Sequence, residues 1–147
     1  MILPDVNILL YAYDKDSRFH SSAAAWFETV LSEEQVALSW HTITGFIRIF
    51  THPAIMSEPI TVEQAVDIVG TWLRLENVHL VSLEKRNWPA FAELLVESRA
   101  TGNIVMDAHL AAMAASFGAR LATTDRDFRR FPGIRLLDPT ENEKGGR

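Results

Sequence analysis

The stretch that decides the fold is Gly102-Asn103-Ile104-Val105-Met106-Asp107-Ala108-His109-Leu110-Ala111-Ala112-Met113-Ala114. Gly102 and Asn103 form a stop followed by an N-cap signal. From there Ile104, Ala108, Ala111 and Ala115 recur at helical spacing. Asp107 falls in line with Leu110, Ala111 and Ala114, on the apolar stripe. A bare carboxylate on such a face is costly unless it is paired, hydrogen-bonded or bound to a metal. A plainer reason also exists: Asp107 sits near the first turn, where the helix dipole favours negative charge. What the flanking sequence brings near Asp107 decides between the two.

Downstream, the helix stops at Gly118. Arg120 to Thr123 reads as a fourth strand and Ile134 to Leu137 as a fifth. Residues 138–147 form a polar C-terminal tail, expected to fray. Upstream, Met1 to Asp5 is a short apolar run ending in an acid, with Pro4 expected where the strand leaves the sheet. Ile8 to Tyr13 is a short helix or turn. Ser21 or Ser22 caps a helix carrying Trp26, Phe27, Val30 and Leu31. Val36 to Ser39 is a second strand, followed by a helix from about Thr42 to Thr51 with Ile43, Phe46, Ile47 and Phe50 inward. Thr61 to Gln64 is a capping box, opening a helix with Ala65, Val69, Trp72 and Leu73 on the core side. Val78 to Leu83 is a third strand. Trp88, Phe91, Leu95 and Val96 make the next helix amphipathic, with Pro89 in its first turn.

Short strands alternating with helices imply a parallel sheet of four to five strands covered on both faces, a three-layer α/β/α fold. One domain spans residues 1–137 of the 147-residue chain. The chain has no cysteine, which excludes disulfides, Cys-zinc sites and thiol catalysis. No signal-peptide pattern opens the sequence, and no apolar run reaches the ~18 residues of a membrane span. A cytoplasmic protein with no membrane partner is expected. The net charge of −5 argues against a non-specific nucleic-acid coat. Its distribution is uneven, since Arg120, Arg126, Arg129, Arg130 and Arg135 cluster near Asp125 and Asp127.

In parallel α/β folds, ligands bind at the carboxyl ends of the strands. Asp5 follows the first strand, Asp125 follows the fourth, and Asp107 begins the helix feeding that fourth strand. The three carboxylates are predicted to meet at one edge, as an all-oxygen site for a hard cation. The five histidines show no zinc-like spacing and read as structural or surface residues. Trp26, Trp72 and Trp88 sit at core spacing, and Trp40 is a candidate interface residue.

Asp5-Val6-Asn7, Asp107-Ala108-His109-Leu110-Ala111 and Thr123-Thr124-Asp125-Arg126-Asp127-Phe128 together resemble the PIN-domain family, with spacing similar to the VapC-type toxins of bacterial toxin–antitoxin pairs. The likeness extends through Phe46-Ile47-Arg48 and Phe128 to Pro132. It implies a magnesium- or manganese-dependent endoribonuclease acting on RNA, often tRNA or rRNA. It also implies a homodimer and a cognate VapB-like antitoxin whose tail covers the site. Asp5, Asp107 and Asp125 match the family's first, third and fourth acids, and Asn7 and Thr123 its supporting polar residues. The second acid, usually a Glu, falls on Gly45. That departure bears on a second metal ion and leaves the first.

On this reading Asp5 and Asp107 hold the metal directly. Asp125 completes the shell or orients the attacking water, and Asn7 and Thr123 hold the carboxylates. Arg126, Arg129 and Arg130 are candidates for phosphate contacts. Asp127 is either a ligand or the cap of the turn at Phe128. The helices around Trp40–Phe50 and Ile60–Leu73 carry apolar surface suited to dimerisation. Two other classes compete. A catalytically silent binding module draws on the missing acid at Gly45. A phosphoaspartyl phosphatase or receiver domain also places an Asp after its first strand. The phosphatase form wants an Asp where Asn7 stands, and the receiver form a lysine that is absent.

Overall fold

A computed structural model describes residues 1–141. Five strands form one parallel sheet: β1 (Ile2–Pro4), β2 (Val36–Ser39), β3 (Val78–Val81), β4 (Arg120–Ala122) and β5 (Leu136–Leu137), in the order β3-β2-β1-β4-β5. Six helices connect them: α1 (Val6–Tyr13), α2 (His20–Glu33), α3 (Trp40–Phe50), α4 (Val62–Leu73), α5 (Trp88–Glu97) and α6 (Ile104–Ser116). Strand side chains alternate between faces. Ile2, Val36, Leu38, Val78 and Ala122 pack with α1 to α4, while Leu3, Ala37, Val81 and Leu121 pack with α6 and partly buried residues of α5. The result is the expected three-layer α/β/α architecture. Among the described residues no helix is long and apolar enough to cross a membrane.

The strand order reverses at β1. The chain moves from β1 through β2 to β3, then returns to lay β4 on the other side of β1. That reversal opens a crevice at the carboxyl ends of β1 and β4. Pro4 helps shape it. The Ile2 N–H donates to the Gln35 carbonyl on the β2 side. The next donor facing that side belongs to residue 4, and proline has none. Registered pairing with β2 is accordingly confined to Ile2 and Val36, whereas Ile2, Leu3 and Pro4 all pair with β4. The Asp5 N–H continues that ladder by donating to the Ala122 carbonyl at 2.8 Å.

Several local expectations are revised. Helix α3 begins at Trp40 and not near Thr42, because buried Ser39 caps it by accepting the Thr42 N–H at 3.0 Å. Helix α2 begins at His20 with no side-chain cap, so Ser21 and Ser22 lie inside it. Asn103 precedes α6 without a side-chain cap; its own backbone is helical, and main-chain bonds such as Val105 N–H to the Gly102 carbonyl at 3.1 Å close the first turn. The capping box at Thr61 and Gln64 is formed.

Leu73, Trp88 and Val96 are not core residues, being 38%, 59% and 78% exposed. Helix α5 covers the margin of the sheet and buries no residue fully. Its amphipathic pattern is wider than the surface available to it, so Phe91, Leu94 and Leu95 pack while the ends overhang. In the tail, Thr140 is buried, with its N–H and hydroxyl both donating to Asp138 Oδ1. The rest of the expected frayed tail, residues 142–147, lies outside the described residues.

Ser39 gives a direct test of this frame. Ser39→Ala leaves the buried Thr42 N–H and hydroxyl without their partner. It should lower unfolding free energy in urea by about 1–2 kcal/mol. An unchanged urea midpoint would show that the cap contributes nothing to α3.

Candidate active site

Three chain segments deliver carboxyl-bearing or supporting groups to the crevice. Asp5 follows β1 and is the N-cap of α1, its Oδ1 accepting the Val6 N–H at 2.7 Å. Asp107 occupies the first turn of α6. Asp125 follows β4 and caps a short 3₁₀ turn, Arg126–Arg130, its Oδ1 accepting the Asp127 N–H at 2.8 Å. Capping of that turn thus falls to Asp125, and Asp127 is exposed beside it.

Thr123 ties the segments together. A hydroxyl offers one proton and two lone pairs, and all three are used. Thr123 Oγ1 donates to Asp5 Oδ2 at 2.8 Å. It accepts from Asn7 Nδ2 at 3.3 Å and from the Asp125 N–H at 3.0 Å. Thr123 therefore holds the Asp5 carboxylate and the backbone at Asp125, while Asn7 bonds Thr123 and, among the described residues, no carboxylate. Asn7 Oδ1 is left buried with no partner. Buried acceptors are seldom left unpaired, so this oxygen marks a place for an incoming donor.

The electrostatics show which acids share the crevice. Asp107 is pushed up to about 6, first by burial and then by the charges of Asp125, Asp5 and Asp127, with Arg130 opposing. Asp5 is also raised, mainly by burial, with the Asp125 charge adding. The hydrogen bonds from Thr123 and Val6 and the charge of His41 act against that rise. The Asp107 side chain makes no hydrogen bond or ion pair among the described residues, while its N–H donates to the Asn103 carbonyl. Its raised value is the mark of a carboxylate held against its neighbours with only partial compensation from Arg130.

Basic groups line one flank. Arg126, Arg129 and Arg130 are exposed on the 3₁₀ turn. Arg126 and Arg129 line a cavity of about 330 Å³ with Thr123, Thr124, Asp125, Leu136, Asp138 and Glu141. Arg130 lies near enough to Asp107 for its charge to act there.

Two histidines that the sequence left as structural or surface residues belong to this neighbourhood. The charge of His41 acts on both Asp5 and His109. His109 packs edge-on against Phe91 at 5.7 Å, and its Nδ1 is buried without a partner. Burial lowers its basicity, with His41 adding to the effect. Gly45 has a packing role as well as a missing side chain. A Cβ there would meet Val6 Cγ2 at 3.3 Å, so the glycine lets α3 approach α1 next to Asp5.

The donor set suits a hard cation, being all oxygen with an only partly compensated carboxylate and an orphaned acceptor. Among the described residues, however, no group of three or more His, Cys, Asp or Glu side chains is close enough to hold one ion together. Asp125 has one oxygen committed to its turn.

Comparison with known proteins agrees with this geometry. The PIN domain family profile matches residues 2–134. Ribonuclease VapC48 of Mycobacterium tuberculosis is 34% identical over 137 residues, covering 92% of this chain and 94% of its own. Among solved structures, VapBC2 from Rickettsia felis bound to a promoter DNA fragment is similar with a TM-score of 0.66 at 20% identity, over 93% of this chain and 98% of that one. Mycobacterium tuberculosis VapC20, described as a sarcin-ricin loop cleaving toxin, is similar with a TM-score of 0.64 at 18% identity, over 92% and 99%. With its acids at the strand ends and nearly its whole length matched, the chain belongs to the PIN-domain family.

Proposed function

We propose that this protein is a metal-dependent endoribonuclease toxin that hydrolyses RNA phosphodiester bonds and is neutralised by a cognate VapB-like antitoxin. The observation that carries the reading is Asp107, an acid raised to about 6 by burial and three neighbouring carboxylates. Folding tolerates such a site when something else uses it. The relatives' names as ribonucleases and the similar VapBC complexes support the activity and the antitoxin. The description of VapC20 as cleaving the sarcin-ricin loop is in keeping with a structured RNA as substrate class.

Asp5 and Asp107 would hold a magnesium or manganese ion, which when bound attracts the phosphodiester and lowers the pKa of a water. Thr123 keeps the Asp5 carboxylate oriented, and Asn7 Oδ1 accepts a hydrogen bond from a water or an RNA hydroxyl. Asp125 positions water through its free oxygen. Arg126, Arg129 and Arg130 contact flanking phosphates. Asp127 tunes the field and caps nothing. A homodimer is supported by Trp40, Val62, Val66 and Leu73, apolar residues of α3 and α4 that remain exposed.

The decisive assay is cleavage of bacterial tRNA and rRNA. Activity should disappear with EDTA, return with magnesium or manganese, and fall at least about a hundredfold in Asp5→Asn, as befits loss of a metal-holding carboxylate. Cleavage that survives exhaustive chelation would contradict metal dependence. Absence of cleavage at any metal concentration would leave a binding module.

Asp107→Asn tests the same site through stability. A carboxyl whose folded pKa is raised stabilises the fold below its unfolded value of 3.8, and that contribution is lost as pH rises through about 6. Above pH 6 the ionised Asp107 therefore costs stability. The shift alone corresponds to about 3 kcal/mol, which solvent screening at this part-exposed group reduces to about 1 kcal/mol. The metal-free variant should unfold later than the parent at pH 7.5, and the gain should vanish towards pH 4. It should also lose the rise in melting temperature that magnesium gives the parent. A variant less stable than the parent at pH 7.5 with its magnesium response intact would remove Asp107 from the site.

A further inference from the structure

The arginines Arg126, Arg129 and Arg130 all stand on the β4 side of the crevice. An RNA strand crossing the carboxylates must leave that flank and pass the end of β2. His41 lies there, exposed, as the second residue of α3. Its direction follows from Gly45. Residues four apart share a helix face, and the Gly45 face is the one pressed on Val6, the residue after Asp5. Helical side chains lean towards the N-terminus, so His41 leans from that contact towards the strand ends. The sheet register agrees: Ile2 lies opposite Val36, which sets Asp5 level with Ser39, two residues before His41.

We propose that His41 is a phosphate-contacting residue, forming the second edge of the RNA path across the carboxylates from the three arginines. This rests on the ribonuclease reading above. The charge of His41 acts on both Asp5 and His109, so the imidazole lies within electrostatic reach of the two. Among the described residues its side chain has no hydrogen bond or ion pair. An imidazole keeps at least one N–H in either protonation state, so the contact does not depend on its titration. His109 stands behind it with an unpartnered buried Nδ1.

The test uses the full chain, with bacterial tRNA and rRNA for cleavage and a labelled single-stranded RNA in EDTA for binding. His41→Ala should weaken RNA binding about three- to tenfold, the size of one ordinary hydrogen bond made in competition with water. It should raise KM more than it lowers kcat and leave the melting temperature unchanged. His41→Gln, which keeps an N–H donor, should recover most of the loss. Parental binding and KM in His41→Ala overturn the proposal, as does a Gln variant no better than Ala. Weakened capture of an antitoxin with unchanged RNA binding assigns His41 to the protein interface instead. A parent that cleaves no RNA with magnesium defeats the ribonuclease reading first, and this proposal with it.

Discussion

One hydroxyl proton organises the site. Thr123 can donate once, and it donates to Asp5. Its two lone pairs are then committed to Asn7 and to the backbone at Asp125. The end of β1, the start of α1 and the segment after β4 are thereby locked to one atom. Among residues of this size only serine offers the same donor and two acceptors; valine has the shape without the proton, and alanine has neither. Because Thr123 is buried where β4 ends, each of its bonds is protected from competing water.

The lock works against a repulsive field. Asp125, Asp5 and Asp127 all push on Asp107, and the charge of Arg130 only partly offsets them. A fold selected only for stability would place an apolar or neutral residue in that first turn of α6. The sheet order explains how the cost is concentrated. With β1 and β4 adjacent at the reversal point, acids from two strand ends and a helix start are brought together by topology. Pro4 frees the neighbouring β2 edge by withholding a donor, so the groups at the top of β2 and α3 are not drawn into the ladder.

Much of this was legible in the sequence, for reasons that differ by residue. Asp5, Asp107 and Asp125 stood out because each sits where a strand ends or a helix begins, and the alternation of elements dictates that such points converge. The capping box at Thr61 depends only on local chemistry and was read directly. His41 was not legible, since its direction depends on how α3 rotates against α1, which is set by the Gly45–Val6 contact between distant parts of the chain. Trp88 and Val96 were misplaced because a helical pattern reports which face is apolar and not how much neighbour is available to cover it. Asp125 and Asp127 both suit a turn, and only the backbone path shows that Asp125 caps it. The resemblance carried the identity of the site further than spacing alone, while the looseness of the acid cluster required coordinates.

The central claim is that these carboxylates, brought together at strain to one another, are there to hold a divalent cation. The most direct test is an anomalous difference map from crystals grown in manganese. The account predicts a single strong peak within ligand distance of Asp5 and Asp107, with Asp125 reached through water. A peak remote from both acids, or no peak at saturating manganese, would contradict it.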